Sequence, residues 1–214
     1  MKIFGIGMNY AAHNKELQNP LLNIEEAYAG GESQPVVFTK ADSALLSGGK
    51  PFFIPAYTKQ CEYETELCIR INHLGRSIPE RFAHRYYDEV TVGIDFTARD
   101  LQVQLRQKGL PWDLCKGFDG SAVIGKWMPI TRYGKDIQQL QFHLLRNGEQ
   151  VQAGCTADMI FCVDRLVSFI SQFFTLKTGD IIFTGTPAGV GPVSIDDHLE
   201  GYLEGEKLLE FNVK

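Results

Sequence analysis

No run of about 18 apolar residues occurs in this 214-residue chain, so a membrane-spanning helix is not expected. The most apolar long segment, 159–174, is interrupted by Asp164 and Arg165. The start, MKIFGIGMNYAAH, carries one lysine and a short apolar run, too weak for a secretory leader. Cysteine is sparse: Cys61, Cys68, Cys115, Cys155 and Cys162 are odd in number and form no Cys-x-x-Cys pair. That argues against a disulfide framework or a thiolate metal site and points to free thiols in a reducing cytoplasm. Basic runs are missing as well. With 21 Lys and Arg against 26 Asp and Glu, the formal charge is −5, the wrong sign for a general nucleic-acid surface. Gly5-Ile6-Gly7 has Tyr10 where a dinucleotide fingerprint needs its third glycine, and no Gly-rich loop runs into Gly-Lys-Ser/Thr. Repeats and low-complexity tracts are absent. What is left, at 44% hydrophobic and 22% charged, is an ordinary globular composition, long enough for one domain over 1–214 to bury its own core.

Within those limits strands dominate. Runs at 36–41, 63–71 and 90–96 predict strands, and 79–87 predicts a short helix. Asn147-Gly148 at the centre of 140–154 predicts a hairpin, because a two-residue type I′ turn needs positive φ at both positions. Met159, Val163, Leu166, Val167, Ile170, Phe173 and Phe174 recur at spacings of three and four, which predicts a helix over 158–174 with one apolar face. Residues 179–193 and 204–213 read as strand and Gly-rich loop, and 18–35 is polar and Pro/Gly-rich enough for a mobile loop. Regular helical crossovers between strands are missing. The expected fold is therefore α+β, built on a mixed or mainly antiparallel rolled sheet.

Chemistry concentrates in a few places. On one strand, Glu62, Glu64 and Glu66 would share a face opposite Leu67, Ile69 and Ile71, and three stacked carboxylates repel unless solvent or a cation offsets them. They form either the solvated face of a half-buried strand or a divalent-cation site whose oxygen ligands select Mg²⁺, Mn²⁺ or Ca²⁺ over zinc. Asp95, Arg99, Asp100 and Gln102 follow a strand within eight residues, as ligand-presenting groups or as an Asp–Arg pair capping a helix at 98–106. His13 and Glu16, three apart, suit one helical turn in which a carboxylate orients an imidazole base, though exposed pairs of this kind also occur. The other histidines (73, 84, 143 and 198) have no partner at such a spacing and read as structural. Lys116 precedes a Gly-rich turn, and TGTPAGVG (184–191) follows an apolar strand with amides and hydroxyls suited to a carboxylate or phosphate.

In this order the elements NYxxH (Asn9 to His13), PxxFxK (Pro35 to Lys40), YExEL (Tyr63 to Leu67), DxTARDLQ (Asp95 to Gln102), KxFD (Lys116 to Asp119), NGxxxQ (Asn147 to Gln152) and GDIIFTGTPAGVG (179–191) span nearly the whole chain. Together they resemble the fumarylacetoacetate hydrolase family, in particular its short acylpyruvate-hydrolase and oxo-dienoate-isomerase-like branch. The resemblance implies a mixed β-sandwich roll, a homodimer and one divalent ion per site, Mg²⁺ or Mn²⁺ with Ca²⁺ also suitable. It assigns Glu64, Glu66 and Asp95 as metal ligands and leaves Glu62 outside that set, as a nearby or solvated group. Lys116 would lie beside the substrate with Arg99 and Gln102 near it, Thr186 in the substrate loop, and His13 with Glu16 as the water-activating pair. Lys40-Ala41 departs from the family's usual Lys-Pro, and KGFDGSAVIG from its usual Lys-Ser-Phe-Asp-Thr run.

The activity so implied is hydrolysis of a C–C bond in small 2,4-dioxo acids such as fumarylpyruvate or acetylpyruvate. The same site also suits oxaloacetate decarboxylation, keto–enol tautomerisation or oxo-dienoate isomerisation. A metal- and carboxylate-binding module without turnover is the remaining class. A net charge of −5 does not oppose an anionic substrate, because the metal, Lys116 and Arg99 would make the site locally positive.

Overall fold

Period-two alternation organises the central strands. In Thr65–Ile71, Leu67, Ile69 and Ile71 face one side and Glu66, Cys68 and Arg70 the other. Tyr87–Asp95 divides likewise into Val90, Val92 and Ile94 against Thr91, Gly93 and Asp95. The two strands pair antiparallel with Glu66 opposite Gly93 and Leu67 opposite Val92. That register sets Glu66 diagonal to Asp95 on one face, with no side chain at Gly93 between them.

The computed structural model describes residues 1–16 and 33–214, so most of the expected loop 18–35 lies outside the described residues. The main sheet has eight strands. Seven run in the order Val36–Lys40, Ile3–Gly7, Ile181–Phe183, Thr65–Ile71, Tyr87–Asp95, Ala122–Ile124, Leu45–Leu46, and Met128–Pro129 pairs with Tyr87–Asp95. Ile3–Gly7 pairs parallel with Ile181–Phe183, as does Leu45–Leu46 with Ala122–Ile124, so the sheet is mixed. It curls into a half-barrel, the α+β roll expected from the sequence. A second, antiparallel sheet runs Glu149–Cys155, Gln141–Arg146, His198–Leu203, Glu206–Asn212. Its first turn holds Asn147 at φ 55° and Gly148 at φ 84°, as the hairpin requires.

The helix Val163–Phe173 sets Val163, Leu166, Val167 and Ile170 against Phe4, Leu67, Ile69, Val90 and Leu140. Each such side chain contributes about 1.5–3 kcal/mol on burial. Ile94, Phe96, Leu144, Leu199 and Phe211 form a second core. This packing fixes the two site-bearing strands from their apolar face.

Several expectations are corrected. The helix expected over 158–174 begins only at Val163, because Asn9 already occupies the backbone ahead of it. The Asn9 carbonyl accepts from Ile160 N, and its side chain donates to Phe161 O and accepts from Phe161 N. Phe173 and Phe174, expected on the apolar face, are exposed. Residues 79–87 form a 3₁₀ helix, Glu80–Arg85, then enter the next strand at Tyr87. The run 63–71 is interrupted at Glu64, between Cys61–Tyr63 and Thr65–Ile71. Among the described residues no helix is long and apolar enough to cross a membrane.

Candidate active site

Glu64, in the break between strands, meets Glu66 and Asp95 in one buried cluster whose carboxylate oxygens lie within 4.8 Å of one another. Glu64 is 5% exposed and the other two 1%. Burial of three carboxylates is costly unless cations or N–H groups face them. Lys116 Nζ lies 2.7 Å from Glu64 Oε2 and 2.8 Å from Asp95 Oδ2, and Lys40 Nζ lies 2.6 Å from Asp95 Oδ1. Glu66 has no ion pair among the described residues; it accepts from Gly185 N at 2.6 Å. Gly185 stands at φ +101°, and a Cβ there would come within 2.7 Å of Asn9 Cβ, so this donor position needs glycine.

The titrations follow from these partners. Burial works against the Glu64 carboxylate, but Lys116 and Arg99 more than offset it and hold its pKa low. Burial, with Asp95 and Glu64 alongside, drives the Glu66 pKa well above 4.5. Burial also opposes the Lys116 charge, yet Asp95 and Glu64 outweigh it and raise that pKa. Lys40 moves down, chiefly through burial, despite Asp95.

Three close, buried carboxylates, one of them (Glu66) without an ion pair among the described residues, form an all-oxygen donor set that fits a hard divalent ion.

Arg99 opens the helix Arg99–Gln107 and is held on three sides. Its Nε donates to Glu62 at 2.7 Å, one terminal nitrogen to Glu64 at 2.5 Å and the other to Gln102 at 2.5 Å. Glu62 is therefore neither solvated nor idle: it is 7% exposed and anchors Arg99. The alternative of an Asp–Arg pair capping this helix is not what forms: the helix has no side-chain cap, and Asp100 accepts from Thr58 Oγ1 and Lys59 N.

His13 lies on the short helix Ala11–Glu16 and is 4% exposed, with Nδ1 3.4 Å from Glu16 Oε2. Both Glu16 oxygens accept from Gly189 N at 3.1 Å, which ties the helix to the 184–191 loop. A carboxylate only accepts, so the Nδ1 proton is the one donated and Nε2 keeps its lone pair. Burial is the main cause that lowers the His13 pKa below 6.5, so the ring is neutral at pH 7.

Thr186 lines the same cleft, its hydroxyl donating to Thr65 O and accepting from Gln152 Nε2. Gln152 also accepts from Thr65 N and donates to Pro187 O, so it locks the loop to the Glu64 strand break. The cleft is narrow, with about 30 Å³ of space open to water, and is lined among others by His13, Phe38, Glu64, Arg99, Gln102, Arg106, Trp112, Lys116 and Thr186. All nine residues singled out in the sequence thus converge. Lys40 and Gln152 were visible only as letters of motifs, without a role. Arg106 was legible in principle, since Arg99, Gln102 and Arg106 lie three and four apart on one helical face.

A buried oxygen-donor cluster suited to a divalent ion, an imidazole with an orienting carboxylate and a buried lysine lie together in one cleft, a set of parts found in enzyme sites. The chain belongs to the fumarylacetoacetate hydrolase family: the model of its C-terminal domain matches residues 2–213. The chain is 37% identical over 209 residues to the mitochondrial oxaloacetate tautomerase FAHD1 of Mus musculus, covering 98% of this chain and 90% of that one. Its structure is similar to a family protein from Yersinia pestis CO92, with a TM-score of 0.90 at 35% identity over 100% of this chain and 93% of the other. A second similar structure is fumarylpyruvate hydrolase from Pseudomonas aeruginosa in complex with Mn²⁺ and pyruvate, with a TM-score of 0.87 at 32% identity, covering 100% and 89%.

Proposed function

We propose that the protein catalyses keto–enol proton transfer on oxaloacetate or a closely similar 2-oxo acid, with Glu64, Glu66 and Asp95 holding a divalent ion. The observation that carries this is the buried, neutral His13, oriented by Glu16 and facing the carboxylate cluster across one small cleft. When bound, Mg²⁺ or Mn²⁺ supplies Lewis-acid polarisation of the substrate's 2-oxo group. His13 Nε2 takes the proton from the carbon next to the oxo group, a proton from water completes the enol at the oxygen, and the reverse direction runs through the same two transfers. Lys116, kept as an ammonium by its carboxylate partners, stabilises the oxyanion that develops beside it. Arg99 fixes the position of Glu64, and Gln102 holds Arg99. Thr186 and Gln152 shape the loop wall against which the substrate's oxygens rest. Similarity to oxaloacetate tautomerases supports this reading over the hydrolysis expected first from the sequence. Hydrolysis of acylpyruvates is the second reading, favoured by the likeness to fumarylpyruvate hydrolase and by a histidine equally able to activate water.

The test is to follow the enol absorbance of oxaloacetate with Mg²⁺-loaded protein, alongside assays for carbon dioxide release and for fumarylpyruvate cleavage. Accelerated enol decay is expected, and His13→Ala should reduce it by about 10²–10⁴-fold while Mg²⁺ binding persists. The acid limb of the wild-type rate profile should fall below 6.5, because His13 must be neutral to act and its pKa is lowered. Carbon dioxide release without enol decay would assign decarboxylation. Cleavage of fumarylpyruvate with no effect on oxaloacetate would replace tautomerisation with hydrolysis.

A further inference from the structure

The cations of the cleft differ in what they are bound to. Lys40, Lys116 and Arg99 are each paired with one or two of the four carboxylates Glu62, Glu64, Glu66 and Asp95. Arg106, one helical turn beyond Gln102 on the same face, lines the cleft with no hydrogen bond or ion pair among the described residues. Burial and the like charge of Arg99 both act against its guanidinium, a penalty that an anion in the cleft would relieve. Phe38 and Trp112, 5.9 Å apart between ring centres, wall the space with apolar surface and offer no competing acceptor.

Four carboxylates against three paired cations leave the cluster at −1, and a divalent ion brings it to +1. Glu16, the carboxylate beside His13, is already engaged by Gly189 N, so Arg106 adds a positive charge that no described carboxylate pairs. A dicarboxylate supplies one anionic group for the ion and one for Arg106, whereas a monocarboxylate supplies only the first.

We propose that Arg106 is a specificity-determining residue that takes the distal carboxylate of the substrate, so that the site selects dicarboxylic 2-oxo acids over monocarboxylic ones of the same length. This rests on the reading of the cluster as a divalent-metal, 2-oxo-acid site. The guanidinium fork suits a carboxylate in two-point contact, an arrangement a lysine reproduces only in charge.

The experiment is calorimetric titration of the Mg²⁺-loaded full chain with 2-oxoglutarate and 2-oxovalerate, which differ only in ending with a carboxylate or a methyl. The wild type should bind 2-oxoglutarate about 10- to 100-fold more tightly. Arg106→Gln should remove that preference while leaving 2-oxovalerate affinity, Mg²⁺ affinity and the thermal midpoint unchanged. Arg106→Lys should restore part of it. A preference that survives Arg106→Gln, or a wild type that does not distinguish the two acids, overturns the assignment of Arg106 and leaves the metal-site reading standing. Failure of the wild type to bind either acid overturns the metal-site reading and the assignment with it.

Discussion

Among the described residues two clusters have the composition of a metal site, and they differ in nearly everything else. Glu64, Glu66 and Asp95 are buried, whereas His198, Glu200 and Glu210 lie on the adjacent strands His198–Leu203 and Glu206–Asn212 of the antiparallel sheet, half-buried or exposed. The surface group is satisfied locally and cheaply. Lys207 Nζ lies 2.9 Å from Glu200 and 2.8 Å from Glu210, and His198 Nε2 lies 3.2 Å from Glu210, all within reach of water. His198, which has no partner at helical spacing in the sequence, has one across the strand pair. The buried group draws its partners from far along the chain, at Lys40, Arg99 and Lys116. It still leaves Glu66 with a single N–H donor. Geometry alone does not separate the two clusters. The cost of keeping the charges where they are does, and a protein tolerates that cost where a function needs it.

The largest difference should come from removing one anion of each set. Asp95→Ala leaves two buried ammonium groups facing no carboxylate or only Glu64, which costs about 3–5 kcal/mol in urea unfolding. It should also abolish turnover. Glu200→Gln should change stability by no more than about 0.5 kcal/mol. Equal losses from the two substitutions would remove burial as the distinguishing variable.

A sharper separation comes from Glu66, whose removal should cost function and not stability. With EDTA present, Glu66→Gln deletes a carboxylate repelled by Asp95 and Glu64, so the variant should be at least as stable as the wild type at pH 7. The sign of the pH dependence follows from the raised pKa. Glu66 binds its proton more tightly in the folded state, so its contribution is complete below 4.5 and is lost as pH rises through the folded pKa. Stability of the EDTA-treated wild type should therefore decline with rising pH through that window, and the Glu66→Gln protein should lack this component. Mg²⁺ at about 100 times its dissociation constant should stabilise the wild type by about 2.7 kcal/mol and leave Glu66→Gln unmoved. A metal-dependent shift that persists in the variant would remove Glu66 from the ligand set.

How much of this was legible beforehand depended on the range of the interaction. The hairpin at Asn147-Gly148 and the central strands are set by local backbone preference and period-two alternation, so they read directly. Glu64, Glu66 and Asp95 were assigned through the family resemblance of their motifs, because spacing alone left Glu62, Glu64 and Glu66 open between a solvated face and a cation site. The register of the two central strands then brings Glu66 and Asp95 together. Lys40 carries no such signal: a lysine closing an apolar strand is ordinarily exposed, and only the tertiary fold buries it beside Asp95. Glu62 is the nearby group of the two alternatives, and its role was not legible because its partner Arg99 lies 37 residues away on a helix. The helix expected from 158 failed at its start although Met159 does pack on the core, as the pattern requires, because Asn9 claims the backbone of Ile160 and Phe161.

The smallest expected effect tests the surface group alone. Glu210→Gln removes one partner of Lys207 and one of His198, yet Lys207 keeps Glu200 and His198 keeps Asn212 through Nδ1. Each lost contact is exposed to water, which replaces it at little cost, so the change in unfolding free energy should stay within about 0.5 kcal/mol. The Mg²⁺-dependent stabilisation should also remain at its wild-type size, because the ion is held elsewhere. A reduced shift in Glu210→Gln would mean that the surface cluster binds the ion too, and that burial is not what distinguishes the two sites.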